Sequence, residues 1–226
     1  MARRDTGGWV TLALLAGVLS APLVVFIAVF GLRFGWWGLD FARDRLSFLV
    51  APCLLGLGAL ATLILVWRAR RTGATGWLLA LGSAVIVAGG FALLYVNFVH
   101  QYPDGTAPLD VSTDPAEPPV FSARVQSPHA GSDVVACPGV SSIPSQVLAE
   151  DATAALQRAG FTPLPSSLFR VEGTHEGMWF LLQHDATIRI RPGQTDIRVA
   201  ARNKRPNGGE TCRLLARIVE ELQPAS

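Results

Sequence analysis

Residues 9–31 of the chain read WVTLALLAGVLSAPLVVFIAVFG, and none of these side chains carries a charge. The run is longer than the roughly 20 residues that a helix needs to cross about 30 Å of hydrocarbon. Uncharged runs of similar length follow at residues 46–67 and 72–99. Only helices and closed barrels satisfy every backbone polar group in lipid, and apolar runs without alternation are typical of helices. The sequence therefore predicts an α-helical membrane anchor of three transmembrane helices within residues 1–101.

The composition of the whole chain agrees with an anchored protein. Of the 226 residues, 50% are hydrophobic and only 16% are charged, whereas a soluble domain has roughly 25% charged residues. This balance excludes a wholly soluble protein. Residues 136–226 hold ten basic and nine acidic side chains, and because this balance gives no strong positive field, we expect no nucleic-acid partner.

The arginines that flank the predicted spans indicate their orientation. The N-terminus and the second loop together carry Arg3, Arg4, Arg68, Arg70 and Arg71, whereas the first loop carries Arg33, Arg43 and Arg45. Loops rich in Lys and Arg tend to stay in the cytoplasm. We therefore predict that the N-terminus is cytoplasmic and that the C-terminal half of the chain is exported. The first apolar region is longer than that of a typical cleaved signal peptide, so we interpret it as an uncleaved signal-anchor.

Small residues recur at every fourth position of two predicted spans. They are Ala13, Gly17 and Ala21 in the first span, and Ala80, Ala84, Ala88 and Ala92 in the third. Such stripes let helices approach closely, and we favour packing within the three-helix anchor over a dimer seam. The spans contain no charged residue. Because charges inside the membrane mark ion and proton pathways, a transporter or pump is not expected.

A change of composition after the third span predicts a linker followed by a small domain. Residues 102–138 contain seven prolines and five acids against a single arginine, Arg124. Proline fixes φ and removes a backbone donor, so residues 102–136 are predicted to form an irregular tether. Val111, Val120 and Phe121 are apolar islands within it, and they leave open the alternative that part of the tether packs. Residues 137–226, about 90 residues, are enough for one small core.

The exported domain is predicted to be a two-layer α+β sandwich with an antiparallel sheet. Apolar residues at helical spacing predict a helix over residues 145–159, capped by Gly160, and a closing helix over Glu210–Leu222. Apolar and alternating runs predict strands over residues 168–172, 177–183, 187–191 and 195–201. Pro192-Gly193 predicts the turn of a hairpin between the last two strands.

Alternation in this hairpin places charged side chains on one face of the sheet. Ile188 and Ile190 point one way, whereas Arg189 and Arg191 point the other. Guanidinium groups bind phosphates and carboxylates in a bidentate manner, which makes this face a candidate site for an anionic group. The candidate ligand-binding residues are Arg189, Arg198, Arg202, Asp185 and Asp196. The alternative is a solvated face stabilised by cross-strand ion pairs.

Cysteines and histidines give no catalytic or metal signature. Cys137 and Cys212 are the cysteines outside the predicted spans, and in an exported domain they form a candidate disulfide. A cysteine nucleophile paired with His175 or His184 is the alternative. The four histidines show no metal-ligand spacing, and no nucleophile elbow or phosphate loop occurs. We therefore predict no catalytic residue, no metal and no cofactor.

Three stretches resemble a bacterial membrane-protein family, domain-of-unknown-function family 1499, in its three-span variant. They are residues 108–121 (PLDVSTDPAEPPVF), 136–142 (ACPGVSS) and 171–205 (VEGTHEGMWFLLQHDATIRIRPGQTDIRVAARNKR). Family members similarly show an Asp-x-x-x-Arg strand and an Asp-x-Arg strand before a basic loop, here at Asp185, Arg189, Asp196, Arg198 and Arg202. The chain departs from the family at His184, where a second acid is usual, and in residues 203–209. Together with the predicted orientation, the resemblance implies a bacterial inner-membrane protein with three spans and a periplasmic C-terminal domain. It implies no established activity.

Together these features give three hypotheses about function. The first is a non-enzymatic inner-membrane protein that acts in the envelope or as an accessory subunit of a membrane complex, with membrane lipid and other subunits as partners. The second is a binding domain for an anionic lipid or a small carboxylate through Arg189, Arg198 and Arg202. The third is a hydrolase or redox enzyme that uses Cys137 or Cys212 as a free thiol.

Overall fold

The computed structural model describes residues 6–95, 107–125, 129, 133–178, 180–205 and 207–223. Its backbone contacts divide the chain into two units, residues 1–96 and 97–226. The first unit is helical, and the second contains a five-stranded antiparallel sheet with helices. The predicted fold class, three apolar helices followed by a small α+β domain, is confirmed.

The helical unit consists of three long helices. Helix α1 spans Thr6–Arg33, a π-helical segment Asp40–Val50 runs directly into α2 at Ala51–Thr72, and α3 spans Ala74–Leu94. By length and composition, Gly8–Arg33, Asp40–Thr72 and Ala74–Leu94 are long and apolar enough to cross a membrane. Pro52 lies at the junction of the π-helical segment and α2, where it removes one backbone donor from a continuous helical run.

Helix α2 packs against both α1 and α3. A Cβ atom built on Gly58 of α2 would lie 3.4 Å from the Cα of Val18 and 3.6 Å from the carbonyl oxygen of Gly17, so the absence of a side chain lets α1 and α2 approach closely. The predicted small-residue stripes are only partly used. Ala21 and Ala80 are buried, whereas Ala13, Ala88 and Ala92 are exposed. The packed face of α3 instead contains Ala80, Ser83 and Val87.

The sheet unit is built around a central hairpin. The strands are β1 Asp110–Ser112, β2 Thr162–Pro163, β3 Arg170–Glu176, β4 Gln183–Arg191 and β5 Gln194–Ala201. Their order across the sheet is β1-β5-β4-β3-β2, and every neighbouring pair is antiparallel. The predicted turn joins β4 to β5, with Gly193 at a φ of +76°, a value that favours glycine. In this register Ile188 lies opposite Ile197, and Arg189 lies opposite Asp196.

Two helices cover the apolar face of the sheet. Helix α4 spans Ala149–Arg158 and α5 spans Glu210–Leu222. Their buried side chains pack on those of β3, β4 and β5 in one core that contains Ala152, Leu156, Val171, Ala186, Ile188, Ile190, Ile197, Val199, Leu214, Leu215, Ile218 and Val219. Gly160, at a φ of +89°, follows α4 in the left-handed conformation common after helix ends. The predicted bounds of the closing helix match α5.

Several predicted elements differ from the structure. Strand β3 spans Arg170–Glu176 rather than residues 168–172, and β4 begins at Gln183 rather than at residue 187. The predicted strand over residues 177–183 is wrong, because the described residues 177, 178 and 180–182 lie in the loop between β3 and β4, and Gln183 is the first residue of β4. The Gly177 N–H donates to the Leu182 carbonyl at 2.9 Å, and Leu181 has a φ of +52°. The helix predicted from residue 145 begins four residues later. The residues before it are held by β5 instead, where the Thr195 hydroxyl donates to the Ser145 carbonyl at 2.9 Å.

The largest correction concerns the tether predicted over residues 102–136. Within it, Asp110–Ser112 forms strand β1 beside β5. Residues 107–125, which we call the strap, include this strand, and Glu117, Pro119 and Phe121 of the strap lie on the polar face of the sheet. Phe121 of the strap is only 3% exposed and packs with Val125 on Ala200 and Leu164. The described strap therefore belongs to the sheet domain, which gains a third layer opposite its helices.

Candidate functional site

The predicted ligand-binding residues all lie on the face of the sheet that the strap covers. Asp185, Thr187 and Arg189 of β4 alternate with the apolar core residues, as do Asp196 and Arg198 of β5. Asp185 and Asp196 are fully buried. A buried charge is strongly unfavourable unless it is paired and hydrogen-bonded, so the partners of these side chains decide what the face can do.

Arg189 joins two strands to the strap. Its Nε and Nη2 donate to Asp196 Oδ2 at 3.2 Å and 3.0 Å, and Nη2 also donates to the carbonyl oxygen of Glu117 at 2.7 Å. Arg191 Nη2 lies 2.6 Å from the same carboxylate oxygen of Asp196, and its Nη1 donates to Glu117 Oε2 at 2.8 Å. Two arginines thus share one buried aspartate and one glutamate of the strap.

The buried carboxylate of Asp196 is held in its ionised form by donors on several sides. Burial by itself raises the pKa of Asp196. Hydrogen bonds from Ser142, Gln194 and Arg189 outweigh this effect, so that the net pKa lies below its ordinary value. The Ser142 hydroxyl donates to Oδ1 at 2.7 Å and the Gln194 amide at 2.6 Å. Asp196 is therefore an anchor for neighbouring segments of the domain.

Arg198 forms a second, separate ion pair. Its Nε donates to Asp110 Oδ1 at 2.8 Å and its Nη2 to Oδ2 at 2.6 Å, a bidentate pair between β5 and β1. The remaining terminal nitrogen donates to the Pro119 carbonyl at 3.1 Å, and the guanidinium carbon lies 4.9 Å from the centre of the Phe121 ring. Both the flat face and the edge of this guanidinium are occupied by the strap and β1.

Arg202 and His129 converge on Asp185 in a third ion pair. Arg202 Nε and Nη2 donate to the two Asp185 oxygens at 2.6 Å and 2.7 Å, and His129 Nε2 lies 2.9 Å from Oδ2. Burial raises the pKa of Asp185, but the hydrogen bonds from His129 and Arg202 outweigh it, and the net pKa is lowered. The Phe121 ring lies 4.8 Å from the His129 ring.

These contacts give each of the three predicted ligand-binding arginines a carboxylate of its own chain. An anionic ligand at Arg189, Arg198 or Arg202 would have to displace that carboxylate. The cross-strand ion pairs of the alternative interpretation are present, but they lie beneath the strap rather than in solvent. Sequence reasoning missed the acids of the strap as partners. The available signal was charge complementarity, because the proline-rich stretch is acidic and the hairpin is basic.

The cysteines of the sheet domain are joined to each other. Cys137 and Cys212 form a disulfide with their Cα atoms 5.7 Å apart, which ties the segment that precedes α4 to α5 across 75 residues of chain. A disulfide leaves neither sulfur as a nucleophile. Of the described cysteines, Cys53 alone is a free thiol, on an exposed position of α2.

Two further histidines meet at the helix-covered side of the sheet. His175 Nδ1 lies 2.7 Å from the Gly160 carbonyl, and the Asn207 amide donates to His184 Nε2 at 3.3 Å. Burial, with a smaller effect from His175, lowers the pKa of His184 to about 4. Burial also raises the pKa of Glu210, 3.9 Å from His175. Across the described residues no group of three or more potential ligands could hold a metal ion, and His100 lies outside them.

Comparison with known proteins supplies no relative from which a role could be transferred. No protein-family model matches the chain, and neither does any curated protein or solved structure. The resemblance to a family of unknown function therefore stays an expectation. The function has to be inferred from the chain's own geometry.

Proposed function

We propose that this protein is an inner-membrane protein that presents its sheet domain on the periplasmic side, as a non-enzymatic accessory subunit of an envelope complex. The observation that carries the proposal is the Cys137–Cys212 disulfide. Such bonds persist in the oxidising periplasm and are rare in the reducing cytosol. The bias of arginines toward the N-terminus and second loop supports the same orientation.

The polar face of the sheet supports a structural rather than a catalytic role. Three of its buried carboxylates, those of Asp110, Asp185 and Asp196, are neutralised by arginines within the domain. A catalytic acid or base has to exchange a proton with the substrate, whereas the strap covers these groups. A rigid domain on a membrane anchor is suited to contacts with other envelope components.

Thiol labelling in intact cells tests the orientation. In a Cys53→Ser background, Glu220→Cys puts a thiol on the exposed side of α5, and Ala74→Cys puts one at the exposed start of α3. A membrane-impermeant maleimide should label the Glu220→Cys protein in intact cells and the Ala74→Cys protein only after permeabilisation. Non-reducing peptide mapping should recover Cys137 linked to Cys212. The reverse labelling pattern, or two free cysteines in the domain, would overturn the proposal.

The accessory role has its own test. The full chain, extracted from native membranes in mild detergent, should migrate in a complex larger than the chain itself. The Arg198 side chain is bound within the domain. Replacing it by Gln should therefore weaken that complex only if the substitution also unfolds the domain. A chain that migrates alone under all mild detergents would contradict the accessory role while leaving the orientation intact.

A further inference from the structure

A second polar region of the sheet domain differs from the buried ion pairs because it is open. A cleft of about 240 Å³ lies where the strap passes the edge of the sheet near β2 and β3. The polar side chains that line it are Ser122, Arg124, Ser166, Ser167, Arg170 and Glu172. The cleft thus holds two guanidinium groups, three hydroxyls and one carboxylate.

The two guanidinium groups lack the close partners that the other sheet-face arginines have. The Nε of Arg170 lies 3.9 Å from Glu172 Oε1, and the Arg170 side chain is 47% exposed. A charge-assisted hydrogen bond is about 2.7–2.9 Å long. Glu172 Oε1 instead accepts the backbone N–H of Ser122 at 2.6 Å. Arg124 is exposed and has no hydrogen-bond or ion-pair partner among the described residues.

Exposed apolar side chains lie directly beside these cations. Leu168 and Phe169 stand between Ser167 and Arg170, both of which line the cleft, and they are 76% and 64% exposed. Large exposed apolar groups beside basic residues are typical of surfaces that bind at the lipid headgroup layer. There the cations meet phosphate, and the apolar side chains enter the boundary of the acyl chains.

We propose that this cleft binds the phosphate of an anionic phospholipid through Arg124 and Arg170, with Leu168 and Phe169 in the interfacial layer. Guanidinium groups hold phosphate oxygens by directed hydrogen bonds, and the serine hydroxyls add donors. The inference goes beyond the accessory role and does not depend on the side of the membrane that the domain occupies, since it concerns only the lipid class.

Hydrogen exchange on the full chain in nanodiscs tests this site. The discs contain phosphatidylcholine with increasing fractions of phosphatidylglycerol, and the readout is amide protection of residues 164–170. Protection should rise with phosphatidylglycerol. Each of Arg124→Gln and Arg170→Gln should raise the fraction needed for half-maximal protection by about fivefold, since one basic residue near an anionic surface contributes on the order of 1 kcal/mol.

A matched pair of substitutions separates the site from general charge. Lys204→Gln with Arg217→Gln removes the same charge from exposed positions outside the cleft and should leave the protection unchanged, whereas Arg124→Gln with Arg170→Gln should abolish it. Leu168→Ser with Phe169→Ser should also reduce it. If the two double variants, one inside and one outside the cleft, lost equal amounts of amide protection, the proposal would be overturned. Protection of the wild-type chain by inorganic phosphate in pure phosphatidylcholine discs, with no response to phosphatidylglycerol, would overturn it as well.

Discussion

His184 and Asp185 are consecutive residues of β4 that meet opposite surroundings. Successive side chains of a strand point to opposite faces of the sheet. Asp185 lies under the strap, ionised by its contacts with Arg202 and His129. His184 lies on the helix side, buried and with its pKa lowered to about 4. At the scale of single residues, these two buried groups therefore change the stability of the fold in different pH ranges.

The lowered pKa of His184 makes the sheet domain sensitive to mild acid. An unfolded histidine has a pKa of about 6.5, so between this value and about 4 the unfolded chain binds a proton that the folded chain does not. The free energy of unfolding is therefore highest above pH 6.5, and it falls with decreasing pH by about 3 kcal/mol in total. In detergent, the urea midpoint of the full chain, followed by circular dichroism, should fall over this range. His184→Gln should remove most of that fall.

Two neighbouring groups titrate differently from His184, and the His184→Gln variant isolates the contribution of the histidine from theirs. Asp185 has a pKa below its ordinary 3.8, so its contribution is lost at lower pH. Glu210 has a raised pKa, so the folded state gains stability from its protonation as pH falls, which opposes the histidine. Glu150→Gln, at an exposed position of α4, should retain the wild-type pH dependence. A His184→Gln protein with an unchanged pH dependence would contradict the assignment.

At the scale of elements, the strap is the feature that most changes the domain. Its edge strand β1 is flanked by β5 on one side and by residue 135 on the other, where the Ser112 N–H donates to the Val135 carbonyl at 3.0 Å. A sheet edge covered in this way is protected from pairing with other chains. The acids of the strap also provide the counter-charges of the hairpin arginines.

Substitutions at two neighbouring strap positions should have very different effects. Phe121 is 3% exposed, whereas Val120 is 59% exposed. Phe121→Ala should lower the free energy of unfolding by about 3–5 kcal/mol, because it leaves a cavity beside Ala200 and Leu164. Val120→Ala should change it by less than about 0.5 kcal/mol. Urea titration of the full chain measures both. Equal, small effects would mean that the strap is a loose tether.

Local sequence patterns predicted the elements that depend on contacts between residues close together in the chain. The β4–β5 hairpin follows from alternation and Pro192-Gly193, and α5 follows from its apolar periodicity. The strap could not be predicted in the same way, because Asp110 and its partner Arg198 are 88 residues apart. The false strand at 177–183 arose from an apolar run whose Met178 is in fact exposed. The candidate arginines were placed on the correct face together with Asp185 and Asp196, but Asp110 and Glu117, which also bind them, came from a segment predicted to be irregular.

At the scale of the whole molecule, the anchor is a second folded unit with its own packing. Gly58 is buried where α2 meets α1, and a Cβ there would also lie 3.6 Å from a methyl group of Val87 on α3. Gly56, half a turn earlier, has nothing within 4 Å of such a Cβ atom. Close approach at a small residue is a main source of helix association in lipid.

This pair of glycines provides a matched test of the three-helix packing. Gly58→Leu should overpack the α1–α2 contact and lower anchor stability by about 1–3 kcal/mol. Gly56→Leu should have little effect. Five of the six tryptophans precede residue 96, so the thermal transition of tryptophan fluorescence in detergent reports mainly on the anchor. If both variants melted alike, helices α1 and α2 would not be in contact at Gly58.

The strap also sets an order of events during biosynthesis. Asp110 leaves the ribosome 88 residues before Arg198, the guanidinium that neutralises it. At about 5–20 residues per second, the nascent domain waits on the order of 4–18 s with its first strand unpaired. The first strand of the domain therefore pairs only after β5, the last strand to be made, has been synthesised.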